Sequence, residues 1–365
     1  MVADTSADFR LRRLAFADLA GWDDDDHSTA WSAFRRSAAV AGEHPPRQRG
    51  PGIDARALAG VLATAGRAPD ALTREQARAF FEAAFVPHEV IPASGRAFFT
   101  GYYEPEVAGS VVETPAFTVP IYRPPDDLVE VDPGDPPPGL DPGFRFARRT
   151  ADGLREHPDR AAIVAGALAG RGLELVWLAD AVDAFFIHVQ GSARVRLADG
   201  RVLRLTYAAR TGHPYTPIGR VLVEAGVLAR HDVTMRTIRA WLAGHPAEAG
   251  PVMAQNRSYV FFREAPVGDP ELGPVAAAKT PLTPMRSLAV DRTLMSFHTP
   301  VWIETALPDG APLRRLTIAQ DTGSAIVGPG RGDVFFGSGE AAGEIAGAMK
   351  ADGRFVVLVP REAAG

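Results

Sequence analysis

Residues 319–326 read Ala-Gln-Asp-Thr-Gly-Ser-Ala-Ile, and residues 332–337 read Gly-Asp-Val-Phe-Phe-Gly. These two stretches place the carboxyl groups of Asp321 and Asp333 among glycines and small hydroxyl residues, next to apolar runs at 316–318 and 334–336. Glycine lets the backbone approach a ligand closely, and apolar runs of this length are typical of buried strands. The two stretches therefore predict a polar notch that is held rigid by strands.

A third aspartate, Asp291, comes earlier in the chain and is expected to open a strand that runs through residues 301–303. If the three aspartates lie at strand ends, their carboxyl groups can converge on one site. Aspartate is also a common turn residue, so each of the three, taken singly, could simply cap a turn.

Four further motifs occur in order upstream of the last two aspartates. They are Phe-Thr-Gly-Tyr-Tyr-Glu-Pro at 99–105, Pro-Ile-Tyr-Arg at 120–123, His-Val-Gln-Gly-Ser-Ala-Arg at 188–194 and Ser-Tyr-Val-Phe-Phe-Arg at 258–263. With the three aspartates, this series resembles the family of membrane-bound lytic murein transglycosylase A. The chain departs from that pattern at Ser324 and Val327, where a glycine and a lysine are usual, at Arg257, and in the glycine-free segment 274–279.

The resemblance implies a mixed α/β, β-rich fold. It consists of a double-psi β-barrel domain with N-terminal helices, an inserted smaller β-barrel domain, and a substrate groove between the two. We expect the first domain to comprise residues 1–104 and 268–365, and the second to comprise residues 105–267.

Local patterns in the sequence predict several individual elements. Asp54 and Thr73 are expected to cap helices, the second through a capping box with Gln76. The Asp199-Gly200 turn between alternating segments predicts a β-hairpin. The apolar run at 184–189 is interpreted as a buried strand.

The resemblance also implies a reaction: cleavage of the β-1,4 bond between N-acetylmuramic acid and N-acetylglucosamine in peptidoglycan, without water, to give 1,6-anhydromuramic acid. One carboxyl group can then act first as acid and afterwards as base. Asp333 is the expected catalyst because its apolar neighbours should raise its pKa. Asp321 and Asp291 are alternatives for that role, and otherwise support it, with Asp321 kept ionised by backbone donors.

Residues expected to bind the glycan are Thr100, Gly101, Tyr102, Tyr103, Glu104, Gln190, Gly191, Ser192, Thr322, Gly323 and Ser324. Tyrosine rings can stack on sugars, although either ring could instead pack in an interdomain hinge. His188 is interpreted as structural. Two other functions remain open: a hydrolytic glycosidase (muramidase) that pairs Asp333 with Asp321 or Glu104, and a non-catalytic peptidoglycan-binding module.

Composition excludes several classes of function. The 365-residue chain has a net charge of -5 with dispersed basic residues, which argues against a nucleic-acid partner. It has no cysteine, and its histidines and carboxylates show no metal-ligand spacing, so we expect neither a metal nor another cofactor. The acidic run 23–26 is interpreted as solvated side chains at a helix start.

The resemblance places the protein in the cell envelope, in the periplasm, as a monomer acting on peptidoglycan glycan strands; the family is usually anchored to the outer membrane. No apolar run is long enough to span a membrane. Residues 1–6 show neither a basic nor an apolar signal region, and no cysteine is available for lipidation. We therefore expect that an export signal was removed or that export is encoded in another way.

Overall fold

The computed structural model describes residues 9–49, 53–132, 137, 139–141 and 143–361. The helices are α1 His27–Val40, α2 Ala55–Arg67, α3 Arg74–Ala84, α4 Arg160–Ala162, α5 Ala181–Gln190, α6 Ile218–Glu224, α7 Met235–Gly244, α8 Pro246–Ala254 and α9 Glu340–Ala348. The strands are β1 Phe9–Arg13, β2 Phe85–Pro92, β3 Ala97–Glu104, β4 Glu106–Ser110, β5 Val119–Tyr122, β6 Leu128–Glu130, β7 Phe146–Thr150, β8 Gly153–Arg155, β9 Glu174–Leu178, β10 Ser192–Leu197, β11 Val202–Arg210, β12 Val260–Ala265, β13 Ser287–Val290, β14 Pro300–Ala306, β15 Pro312–Asp321, β16 Arg331–Ser338 and β17 Lys350–Pro360.

The chain divides into two compact units. The first comprises Met1–Tyr103 and Asp269–Gly365, and the second comprises Glu104–Gly268. The mixed α/β, β-rich class with two domains is confirmed.

The first unit is built around a closed barrel. Its sheet runs β1-β2-β17-β14-β15-β13-β16-β3, and an additional pairing between β17 and β3 closes the last six strands into a ring. Strand β13 is parallel to β15 and antiparallel to β16. The two aspartate stretches therefore lie on strands that share β13 as a neighbour.

Helices α1, α2 and α3 cover one side of this barrel and bury an aromatic core that includes Trp31, Phe34 and Phe81. The predicted caps are confirmed: Asp54 accepts from two backbone N–H groups of α2, and Thr73 forms a capping box with Gln76 at α3. Satisfying the free N–H groups at a helix start stabilises each helix by about 1 kcal/mol.

The acidic run before α1 differs from expectation, because Asp25 is buried. Its carboxyl oxygens accept from both terminal nitrogens of Arg286, at 2.7 and 2.8 Å, and from the backbone N–H of Leu316 at 2.9 Å. The interpretation of this run as wholly solvated was wrong, since a distant arginine pairs with one of its members. This pair ties the start of α1 to the barrel.

The second unit contains the six-stranded sheet β12-β11-β10-β4-β9-β5, whose edge strands β5 and β12 come close to each other. The predicted hairpin is confirmed, with β10 antiparallel to β11 around the Asp199-Gly200 turn. A separate three-stranded sheet contains β6, β7 and β8.

The interpretation of residues 184–189 as a strand was wrong, because they lie in helix α5. Asp180 caps this helix by accepting from the N–H groups of Val182 and Asp183, and Gly191 ends it with a left-handed φ of 79°. Ala184 to His188 are all buried, so this part of the helix has no polar face and its helical periodicity is hidden in the sequence.

Candidate active site

Asp333 is the third residue of β16 and directly opposes Ala289 of β13. Asp333 is half-buried. Its carboxyl Oδ1 accepts a hydrogen bond from the hydroxyl of Thr100, which lies on the neighbouring strand β3. Burial raises the pKa of Asp333 above its ordinary 3.8, while Arg331 and the Thr100 hydrogen bond oppose the rise. The effect of burial is larger than these two effects, so Asp333 keeps its proton to a higher pH than an exposed aspartate does.

Arg331 is a residue of this site that the sequence reasoning missed. Its Nη2 donates to Thr100 Oγ1 at 2.6 Å, its Nη1 donates to the Gly332 carbonyl, and its guanidinium lies 5.3 Å from the centre of the Phe98 ring. The available signal was the spacing: alternate residues of a strand share a face, so an arginine two positions before Asp333 points to the same side.

Asp321 ends β15 and lies near Asp333, whose charge acts on it. Its Oδ2 accepts from the hydroxyl of Tyr102 at 3.0 Å, and its Oδ1 accepts from the backbone N–H of Ala277 at 3.3 Å. Ala277 belongs to the glycine-free segment 274–279, so that segment contributes a backbone donor to the site.

Burial raises the pKa of Asp321 to about 6, whereas hydrogen bonds from Thr322, Tyr102 and Ala277 lower it. The sequence predicts that backbone donors keep this carboxyl group ionised. The donors are present as expected, but desolvation of the carboxylate is the larger effect. Burial and the charges of Asp321 and Asp333 raise the pKa of Tyr102 well above its ordinary value of 10.

Asp291 was expected at the start of a strand, and that placement was wrong. Strand β13 ends at Val290, and the next strand begins at Pro300. Asp291 Oδ1 accepts from the backbone and hydroxyl of Thr293, and Oδ2 accepts from the backbone N–H of Gly328 at 2.7 Å. It therefore fixes its own turn and the start of the loop that leads into β16.

Two residues of the Thr-Gly-Tyr-Tyr motif pack inside the first unit. Tyr103 is buried, and its ring leaves no room for a Cβ at Gly343 of α9, where one would lie 2.7 Å away. A Cβ on Gly101 would lie 2.6 Å from the Phe336 ring and 2.8 Å from the Ala346 backbone. Glycan stacking on the Tyr103 ring is therefore excluded by packing against α9, and Gly101 permits the close approach of that helix.

Thr322, Gly323 and Ser324 follow Asp321 in the loop before β16. Gly323 and Ser324 are exposed, and Thr322 is half-buried. A turn in which the N–H of Ile326 donates to the Gly323 carbonyl at 3.0 Å shapes this loop. Its exposed residues remain accessible to a ligand.

Glu104 begins the second unit and is fully buried. Its carboxyl lies 2.8 Å from Arg194 Nε and 3.0 Å from Arg204 Nε. The expectation that Glu104 binds glycan, or serves as a second catalytic carboxylate, is contradicted because two guanidinium groups already enclose it away from solvent.

The remaining expected residues also belong to the second unit. Gln190 ends α5 and is half-buried, Gly191 is the C-cap with its carbonyl accepting from the Tyr207 N–H at 2.8 Å, and Ser192 starts β10 and is buried. His188 is buried within α5, and its Nδ1 lies 2.9 Å from Arg160 Nη1. Its burial agrees with a structural role.

Within the residues that the structure describes, no three histidine, cysteine or carboxylate side chains are grouped so as to hold a metal ion. In the same described part of the chain, no helix is long and apolar enough to cross a membrane.

Comparisons with known proteins agree with this arrangement. The MltA specific insert domain matches residues 98–263, and the 3D domain matches residues 286–359. The membrane-bound lytic murein transglycosylase A of Vibrio cholerae is 37% identical over 205 residues, so the match spans about half of that relative, 54% of each chain. The Escherichia coli protein of the same name is 33% identical over 280 residues, which cover 74% of this chain and 68% of the relative.

Similarity extends to the whole fold. A crystal structure of a membrane-bound lytic murein transglycosylase from Agrobacterium tumefaciens is 44% identical in sequence and superposes with a TM-score of 0.89, covering 97% of this chain and 98% of that chain. The insert domain and the 3D domain coincide with the regions that supply the motifs and aspartates described above. This chain belongs to the family of membrane-bound lytic murein transglycosylase A.

Proposed function

We propose that this protein is a peptidoglycan lytic transglycosylase in which Asp333 is the single acid and base. The observation that carries the proposal is a half-buried carboxyl group on a barrel strand, with its pKa raised by burial and a hydroxyl donor on one oxygen. A general acid needs to hold its proton near the working pH, and burial moves the pKa of Asp333 in that direction. The names of the relatives, all lytic murein transglycosylases, support the choice of substrate.

In the first step, Asp333 gives its proton to the glycosidic oxygen as the bond to the muramyl anomeric carbon breaks. An oxocarbenium-like centre develops at that carbon. In the second step, the ionised Asp333 takes the proton of the muramyl 6-hydroxyl while the hydroxyl oxygen bonds to the anomeric carbon. The carboxyl group is thereby protonated again, and no water is consumed.

Asp321 supports this reaction by its position. With a pKa of about 6, it carries a negative charge through most of the neutral range, and that charge favours a positive centre nearby. The charge of Asp333 contributes to the raised pKa of Asp321, because like charges oppose each other. Asp291 supports the reaction indirectly, because its carboxyl group accepts a hydrogen bond from the Gly328 N–H.

Glycan contacts are proposed for the accessible residues only. In the first unit, Thr322, Gly323 and Ser324 would contact sugar from the loop beside Asp321, and Tyr102 would do so from β3. In the second unit, the candidates for contact with glycan are Gln190 and Gly191, because Ser192 is buried. We propose that the protein acts as a monomer on glycan strands in the periplasm.

The decisive experiment is digestion of purified peptidoglycan in water enriched in oxygen-18, followed by mass spectrometry of the products. We expect disaccharide-peptides ending in 1,6-anhydro-N-acetylmuramic acid, without the label, because the nucleophile comes from the substrate. Labelled, reducing-end muramic acid would show hydrolysis, with Asp321 as the second carboxylate, and would overturn the proposal. Retention on peptidoglycan with no product at all would point to a binding module.

A further inference from the structure

The hydrogen bonds around Asp333 form a short chain with a definite direction. Arg331 Nη2 donates to Thr100 Oγ1 at 2.6 Å, and the Thr100 hydroxyl donates to Asp333 Oδ1. A guanidinium has donors and no acceptor, and a hydroxyl has a single proton to give. With Arg331 supplying a proton to Oγ1, the proton of Thr100 is free to point at Asp333.

This direction has a consequence for the catalytic carboxyl group. Oδ1 of Asp333 is occupied as an acceptor, so the proton of the neutral acid belongs on Oδ2. A carboxyl whose two oxygens were equivalent would place the proton correctly in only part of the population. Fixing it on one oxygen pre-organises the group for donation.

Arg331 is itself held in place. Its other terminal nitrogen donates to the Gly332 carbonyl, and the guanidinium lies 5.3 Å from the Phe98 ring centre. A planar guanidinium anchored by two different hydrogen bonds and an aromatic ring keeps its orientation better than a flexible ammonium would.

We propose that Arg331 is a positioning residue that locks the Thr100 hydroxyl against one oxygen of Asp333 and so fixes the oxygen from which the proton is donated. The proposal rests on the function proposed above. It assigns Thr100 to the catalytic carboxyl rather than to the glycan.

The test compares Arg331→Ala, Thr100→Val and the double variant in the full chain, with the anhydro product measured by mass spectrometry. We expect each single variant to lose about 10- to 100-fold in kcat with little change in KM, since a small misplacement of a reacting group has effects of this size. The double variant should be no slower than Thr100→Val alone, because Arg331 acts through that hydroxyl. Thr100→Ser, which keeps the hydroxyl, should recover most of the kcat that Thr100→Val loses.

A pH profile separates positioning from general damage. The groups around Asp333 are Arg331 on its own strand, Thr100 and Tyr102 on β3, Asp321 at the end of β15, and apolar Ala289 on β13. The charge of Arg331 lowers the pKa of Asp333, so its removal should move the alkaline limb of kcat/KM to higher pH. In Arg331→Lys the alkaline limb of kcat/KM should stay near its wild-type pH, although kcat should still be reduced. Arg96→Ala, which removes an exposed arginine of the same unit, is the matched control and should change neither quantity.

Several outcomes would overturn the proposal. A raised KM with unchanged kcat would make Arg331 a glycan contact, and multiplicative losses in the double variant would show that the two residues act separately. If Arg331→Ala does not fold, Arg331→Lys and the Thr100 pair still decide the question. A wild-type enzyme that yields hydrolytic product would overturn the proposed function instead, so the two failures are distinguishable.

Discussion

Asp333 in the barrel is half-buried and Glu104 in the second unit is fully buried, and the partners of these two carboxyl groups differ in charge. Glu104 is enclosed by two arginines, with Nε atoms at 2.8 and 3.0 Å from its oxygens. Asp333 accepts from a neutral hydroxyl, and the nearby arginine reaches that hydroxyl. The charge of the partner therefore distinguishes the carboxylate that anchors the second unit from the carboxyl group that we propose as the catalyst.

The largest expected effect in this comparison is the loss of turnover when the carboxyl group of Asp333 is replaced. Asp333→Asn should reduce turnover by about 10²- to 10⁴-fold, the usual contribution of a general acid, because an amide cannot donate the required proton. Its folding stability should be unchanged or higher, since a buried carboxyl is replaced by a neutral group. Turnover on sacculi and thermal unfolding measure the two quantities, with exposed Asp352→Asn as the control. Near-wild-type turnover by a folded Asp333→Asn protein would remove the assignment.

The complementary change is Glu104→Gln. Removing one partner of a buried ion pair leaves uncompensated charge, so this variant should lose about 3–5 kcal/mol of unfolding free energy. The turnover of the molecules that remain folded should change little. Glu106→Gln is a matched control because Glu106 pairs with the exposed Arg196, and such surface pairs contribute about 0–1 kcal/mol. Equal stability of the two variants in denaturant titrations would show that Glu104 is not a structural anchor.

Asp321 is an intermediate case, with neutral donors and a pKa of about 6. Since its pKa is raised on folding, the protein is most stable with respect to this group below pH 3.8 and loses that stability as pH rises towards 6. Asp321→Asn should therefore be more stable than wild type above pH 6, by up to about 3 kcal/mol, and the difference should vanish below pH 4. Thermal unfolding across this range measures it, and a difference independent of pH would contradict the electrostatic explanation.

The smallest expected effect is that of metal removal. Because the described residues group no three metal-ligand side chains, EDTA should leave turnover unchanged. Loss of activity on chelation, with recovery on adding a divalent ion, would require a different mechanism from the one proposed for Asp333.

Sequence patterns predicted the local features well. The strands around Asp321 and Asp333, the caps at Asp54 and Thr73, and the hairpin at 199–200 all depend on neighbouring residues, and all are present. Local rules describe such features because the interactions that decide them lie within a few positions of one another.

Features decided by distant residues were missed. Glu104 is paired with arginines at positions 194 and 204, and Asp25 with the arginine at 286, which no local pattern reveals. The strand interpretation of 184–189 failed because burial of residues 184–188 leaves this part of the helix without a polar face, so the spacing of three to four residues that marks an amphipathic helix is absent. The position of Arg331 could have been predicted, because strand periodicity puts it on the same face as Asp333. Its hydrogen bond to Thr100 could not, because that bond depends on the pairing of β16 with β3.

Closure of the barrel by β17 has a consequence for how the protein is made. Lys350 pairs with Thr100, so the ring is completed by segments that leave the ribosome far apart in time. Contacts between distant positions slow folding, and domains generally fold as units during synthesis. We expect the second unit, which is continuous in sequence, to fold first on the nascent chain. Thr100 would then meet Asp333 and Lys350 only after β16 and β17 have been made, so the surroundings of Asp333 are completed later than the second unit.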